Sequence, residues 1–215
     1  MYLDILGAMD EELADIPAFL RPRRMGVGKV NAAIAATRIL DMTTVDQEIV
    51  ILIVGTSAAV DPQLKIGDVV IADRTAYHDV DVTALGFAHG QIPFEEQWSW
   101  SSDRLLLERT TDVCQHLGIP YVVGSVLTGD QFVSNSERVS WIRETFGASA
   151  IDMETAAIAQ TLARTSPTQR FHWISIRVIS DLADKSATVD FTFFLPQAAK
   201  TLSKIVTQLI TRIRD

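Results

Sequence analysis

The sequence predicts a single α/β domain spanning residues 1–215, built as a three-layer α/β/α sandwich around a mostly buried mixed sheet. Three observations carry that prediction. Short apolar runs alternate with segments of helical spacing along the chain. The run Glu48–Val54, EIVILIV, is apolar at every position after its first, the pattern of a strand covered on both faces. Several runs end in small or acidic residues, at Gly7-Ala8-Met9, Gly55-Thr56-Ser57, Asp152-Met153-Glu154 and Ser180-Asp181. In α/β sheets ligands gather beyond such carboxyl ends.

The elements follow in order. Leu3–Leu6 reads as a short strand closed by Gly7, and Asp10–Leu20 as a helix whose opening acids suit its dipole. Val30–Met42 is alanine-rich and helical, and Glu48–Val54 is the buried strand ending at Gly55. Asp68–Ala76 is a strand after the Ile66-Gly67 turn. Leu105–Leu117 is a helix, Tyr121–Leu127 a strand and Ser136–Phe146 a helix. Ala148–Ile151 is a short strand feeding the helix Thr155–Ala163, and Trp173–Ile179 is the last strand. Leu202, Ile205, Val206, Leu209, Ile210 and Ile213 have helical spacing and read as core; Pro196 is expected to kink or split that helix near its start. No repeat, low-complexity stretch or linker divides the chain.

Composition excludes some functions. With 47% hydrophobic and 21% charged residues the chain is ordinarily globular. A net charge of −8 argues against a nucleic-acid partner. Arg21, Arg23 and Arg24, the one basic cluster, read as a solvated loop around Pro22. The single cysteine, Cys114, reads as structural rather than nucleophilic. No stretch reaches the roughly 18 apolar residues of a membrane span, and MYLDILGAMDEEL lacks a basic leader pattern. A soluble, cytoplasmic protein with no membrane partner is expected.

Three acids stand out by position: Glu12 after the first strand, Glu154 after AIDM and Asp181 after VIS. On spacing alone Glu12 and Glu154 read as helix-start acids. Asp181 is harder to explain so, because it follows a buried strand and an unpartnered buried carboxylate costs several kcal/mol. His78-Asp79-Val80-Asp81 alternates along an extended segment with no further ligands in view, so no metal is expected.

Six motifs occur in order: GAMDEE (Gly7 to Glu12), GVGKVNAA (Gly26 to Ala33), YHDVDVTALGFAHGQIP (Tyr77 to Pro93), TGDQFV (Thr128 to Val133), DMETAAIA (Asp152 to Ala159) and RVISDLAD (Arg177 to Asp184). With them the chain resembles the 5′-methylthioadenosine/S-adenosylhomocysteine nucleosidases of the nucleoside phosphorylase superfamily, over nearly its whole length. The resemblance implies a nucleoside phosphorylase-like fold, no cofactor, and hydrolysis of the N-glycosidic bond of a 5′-substituted adenosine. It implies that Glu12 is the general base on water, that Glu154, beside the Met153 backbone, holds the ribose hydroxyls, and that a protonated Asp181, steadied by Ser180, protonates the purine. Phe132 would stack on adenine and the Val133 backbone would read its edge. Met9, Val27 and Phe191 would line the sugar and 5′ wall, with Ser57 and Ala58 among the substrate-binding residues. The Tyr77–Pro93 loop would bring Val82, Leu85, Phe87 and Pro93 to a neighbouring subunit's pocket in a homodimer.

The match has gaps. Only LADIPAFLRPRRM joins Glu12 to Gly26, where the family carries a longer strand hairpin, so loss of that edge hairpin is expected. Ala58 and Ala59 stand where the family has glycines; either the backbone differs or no positive φ was needed there. Asp152 stands where a glutamate is usual. Rival readings are a hydrolase of futalosine or 5′-deoxyadenosine, with the same acids and another 5′ pocket, a phosphate-dependent phosphorylase, and a non-catalytic nucleoside-binding protein.

Overall fold

The computed structural model describes residues 1–44, 47–165 and 171–214. β1 (Tyr2–Gly7) runs parallel to β3 (Ile49–Ala59) on one side and to the two-residue edge strand β2 (Arg23–Arg24) on the other. β3 pairs in parallel with β8 (Phe171–Asp181) along nearly its full length. β8 meets β4 (Val69–Tyr77) antiparallel, β4 runs parallel to β6 (Tyr121–Thr128), and β6 parallel to β7 (Ala150–Asp152). β7 then returns to the far end of β3 through Ala58 and Ala59. Five strands thus hydrogen-bond in a closed circuit, β3-β8-β4-β6-β7, with β1 and β2 on one flank and β5 (Ser99–Ser101) beside β4.

Alternation along β3 explains the layers. Val50, Leu52 and Val54 face the cluster containing Leu202, Ile205, Val206 and Leu209 of α6 (Ala187–Arg214) and Val113 and Cys114 of α3 (Arg104–Leu117). Ile49, Ile51 and Ile53 face Ala32, Ala36 and Ile39 of α2 (Lys29–Met42) and Ala156, Ile158 and Leu162 of α5 (Thr155–Thr165). The two-residue period gives each face its own helices, which is why the run has no polar position. α4 (Ser136–Phe146) is capped by the Asn135 side chain on two backbone N–H groups. Cys114 is fully buried, and burial pushes its thiol up to about 12, which makes it a packing residue. Among the described residues no helix is long and apolar enough to cross a membrane.

Several expectations are corrected. α1 covers only Asp10–Leu13; Pro17 disfavours helical backbone at Ile16, and the chain resumes as a 3-10 turn at Ala18–Leu20. Helix α6 continues unsplit through Pro196. The lost hydrogen bond costs about 3 kcal/mol but is outweighed by the apolar stripe that follows, each large residue of which adds roughly 1.5–3 kcal/mol on burial. β3 runs past Gly55 to Ala59, and neither Ala58 nor Ala59 has positive φ, so glycine was not required at either. The basic cluster is not all solvated: the Arg23 guanidinium bonds both oxygens of the buried Asp4, with Nε 3.0 Å from Oδ1. One expectation holds: the edge hairpin is absent between Glu12 and Gly26, and the two-residue β2 edges the sheet there.

Candidate active site

The three acids come from three separate strand ends. Glu12 is the third residue of α1, 2% exposed. Its Oε2 reaches back to the N–H of Met9 (3.2 Å) and Ala8 (3.0 Å), the helix-start role its position suggests. Its Oε1 does something local sequence does not predict: it accepts the N–H (2.7 Å) and hydroxyl (2.9 Å) of Thr56 on β3. Gly55 makes that possible. A Cβ there would stand 2.7 Å from Glu12 Oε1 and 2.6 Å from Arg177 Nη1.

Asp181 ends β8 at a β-bulge: Ser57 pairs with Ile179 and Ala58 with Asp181, so Ser180 is the extra residue. Neighbouring side chains of a regular strand point to opposite faces, whereas here the Ser180 hydroxyl donates to Asp181 Oδ2 at 2.9 Å. The Ala183 N–H donates to Oδ1 at 3.0 Å. Burial, chiefly, raises the Asp181 pKa above the usual carboxylate range; those two bonds oppose the rise, and Asp190 and Asp184 add to it.

Glu154 precedes α5 and is 4% exposed. The Gly28 N–H donates to its Oε1 at 2.9 Å. Burial pushes its pKa up, with Asp152 and Glu12 helping, against the Arg177 charge and the Gly28 bond. Arg177, 1% exposed in the middle of β8, holds Asp152 Oδ2 at 2.7 Å and stands 3.8 Å from Glu154 Oε2. Its other bonds go to the side-chain oxygens of Ser175 and Thr155 and the carbonyl of Thr56. Sequence reasoning passed over the Asp152–Arg177 pair. The one available signal was a lone arginine in WISIRVIS, which needs a buried acid.

Glu12, Glu154 and Asp181 line one cavity of about 150 Å³. Its wall also includes Met9, Val27, Ser57, Ala58, Phe132, Val133, Met153, Ser180 and Phe191. Ala8, Thr56 and Asp152, expected only as strand-end residues, line it too, as do Gln131 and Ile151, for which no site role was expected. Phe132 and Phe191 meet edge to face, 6.0 Å between centroids. The Ser57 hydroxyl is buried with no partner among the described residues. Val82, Leu85, Phe87 and Pro93 do not line the cavity; they lie on the long loop after β4, with Leu85 73% exposed.

Helices on both faces of a mixed sheet, with carboxylates gathered at strand ends, define an α/β protein with a small-molecule site. The phosphorylase superfamily model matches residues 23–211. The chain is 35% identical to the 5′-methylthioadenosine/S-adenosylhomocysteine nucleosidase of Staphylococcus aureus (strain bovine RF122 / ET3-1) over 189 residues, covering 87% of this chain and 79% of that protein. Among solved structures it is similar to the corresponding Neisseria meningitidis nucleosidase in complex with methylthio-immucillin-A (TM-score 0.85, 32% identity, 97% and 98% of the two chains). It is also similar to a futalosine hydrolase mutant of Helicobacter pylori (TM-score 0.87, 26% identity, 99% of each chain). The chain belongs to the phosphorylase superfamily and, within it, to the 5′-methylthioadenosine/S-adenosylhomocysteine nucleosidase family.

Proposed function

We propose that this chain hydrolyses the N-glycosidic bond of 5′-methylthioadenosine or S-adenosylhomocysteine to adenine and the 5-substituted ribose. The supporting observation is the convergence of Glu12, Glu154 and Asp181 on one cavity. Cleavage passes through an oxocarbenium-like sugar, so water, sugar and leaving base each need a partner. Glu12 activates the water. Its four bonds fill the roughly four lone-pair sites of a carboxylate, and the Thr56 hydroxyl is the donor that can rotate away as the water's proton arrives. Glu154, with Oε1 held by Gly28, receives the ribose hydroxyls and favours positive charge on the ring. Asp181, whose pKa burial raises, delivers its proton to purine N7. Phe132 stacks on the base, the Val133 backbone reads its edge, and Met9, Val27 and Phe191 enclose the sugar and 5′ group. The unpartnered Ser57 hydroxyl is available to substrate or water.

A phosphorylase would need cations around a phosphate dianion, whereas among the described residues the cavity lining contains Glu12 and no lysine or arginine. The deciding assay is adenine release from methylthioadenosine with and without phosphate. Turnover independent of phosphate, reduced about 10²–10⁴-fold in Glu12→Gln, is expected; strict phosphate dependence overturns the reading. Gly55→Ala is expected to cost about 10²-fold in kcat/KM, because a misplacement of about 1 Å at the base is enough. Steady-state kinetics check it, and unchanged turnover would show that Glu12 and Arg177 tolerate displacement. Similarity to a futalosine hydrolase supports a second reading with another 5′ group. Including futalosine and 5′-deoxyadenosine in the panel separates the two by relative kcat/KM. The reading also includes a homodimer in which Val82, Leu85, Phe87 and Pro93 close the partner's 5′ pocket.

A further inference from the structure

Outside the cavity, three charged residues form a closed ring of contacts. Asp79 follows β4, Lys29 opens α2 and Asp130 follows β6. Asp79 Oδ2 accepts the Lys29 ammonium at 2.7 Å and the Asp130 N–H at 2.9 Å. Asp130 Oδ1 accepts the Lys29 N–H at 2.8 Å, and Lys29 Nζ lies 3.8 Å from Asp130 Oδ2. None of the three lines the cavity.

Gly28 joins this ring to the site. Its φ is +95°, and a Cβ there would stand 3.1 Å from Asp130 Oδ1. Its N–H is held by Glu154 and the next N–H, of Lys29, by Asp130. Two consecutive donors at the start of one helix are therefore gripped by two carboxylates, one in the site and one in the ring. Where Asp130 holds Lys29, Gly28 has little freedom to turn its N–H away from Glu154.

Asp79 anchors the ring. Its side chain is 10% exposed, and its Oδ1 is buried without a partner among the described residues. His78 beside it is 1% exposed, with neither ring nitrogen partnered among the described residues, and burial lowers its pKa, which disfavours the imidazolium. Arg138 reaches this region with a bond to the His78 carbonyl and lies over the Trp141 ring, with no ion pair to Asp79 among the described residues. Lys29 is thus the cation that compensates Asp79, and the acid stays buried only with α2 docked. We propose that Asp79 is a positioning residue for the sugar half of the reaction: through Lys29 and Asp130 it fixes the start of α2 so that the Gly28 N–H holds Glu154 in the orientation that receives the ribose hydroxyls. This rests on the assignment of Glu154 to the ribose made above.

The test measures kcat and KM for methylthioadenosine and its 3′-deoxy counterpart in wild type, Asp79→Ala and Asp79→Asn, with calorimetric binding of free adenine. Asp79→Ala is expected to lose about 10²-fold in kcat/KM on methylthioadenosine and only a few-fold (roughly, by loss of the shared positioning alone) on the 3′-deoxy compound. The preference for the hydroxyl therefore shrinks, while adenine affinity stays within about twofold because the base does not touch Glu154. Asp79→Asn, which keeps an oxygen acceptor, recovers part of the loss. If Asp79→Ala does not fold, Lys29→Met is read in the same way. Equal loss on both substrates, or no loss, overturns the inference while leaving Glu154 on the ribose. Wild type that turns over methylthioadenosine without preferring the 3′-hydroxyl removes Glu154 from the ribose, and the inference with it; wild type that does not turn it over removes the proposed function as well.

Discussion

Arg177→Met is expected to unfold about 3–5 kcal/mol more easily than wild type, a fall in Tm of roughly 6–20 °C at 2–4 °C per kcal/mol. The size of the effect comes from what the guanidinium leaves behind. Asp152 loses its 2.7 Å partner and Glu154 its nearest cation, both almost without solvent. Methionine fills much of the volume and supplies none of the charge. Asp152 would keep the hydroxyls of Thr128 and Thr155, which hold it in place without neutralising it. Combining the change with Asp152→Asn is expected to restore part of the stability, because the pair is then removed together. Urea melts of the two variants check this. A single variant within about 1 kcal/mol of wild type would show that the buried acids do not depend on Arg177.

Asp181→Asn is expected to separate stability from activity. The folded-state pKa of Asp181 lies above its unfolded value, so the folded chain binds the extra proton between the two. Stability is therefore lost as pH rises from the unfolded value through the folded one, and the cost is fully present above that window. Asparagine carries no charge to desolvate. Its oxygen can accept the Ala183 N–H, and its amide can donate to the Ser180 hydroxyl. The variant is expected to melt at or above wild type on the alkaline side of the window, by about 2–4 °C for each kcal/mol relieved, with the difference vanishing at low pH. Turnover should fall about 10²–10⁴-fold, because the variant lacks the proton donor proposed for the purine. In wild type kcat is expected to decline as pH rises through the Asp181 pKa. Melting curves across pH, paired with adenine release, read both effects. A variant less stable at every pH, or one that keeps its rate, would contradict the account.

Much of this was legible in the sequence, for definite reasons. The strand at Ile49 announces itself because burial on both faces leaves no room for a polar residue. Glu12, Glu154 and Asp181 stood out by motif, and the fold brings them to one cavity. What stayed hidden was long-range or too short to register. Nothing in WISIRVIS names Asp152 as the acid waiting for Arg177. The Thr56 grip on Glu12 crosses from strand β3 to a helix turn. β2 and β5 are two and three residues long, below any periodic signal. Pro17 and Pro196 show context deciding: the first follows a helix of only four residues, and the second sits inside one whose next turns bury Ala198, Ala199, Leu202, Ile205 and Val206 along one face.

The circuit β3-β8-β4-β6-β7 has a consequence for how such a protein can change. A strand inside it cannot shift without breaking ladders on both sides, so Thr56, Ser57 and Asp181 belong to the least adaptable part of the molecule. Met9, Val27, Phe132 and Phe191 stand outside it, on connecting segments and one helix. A lineage could therefore exchange the tail its nucleoside carries while inheriting the bond-breaking step intact.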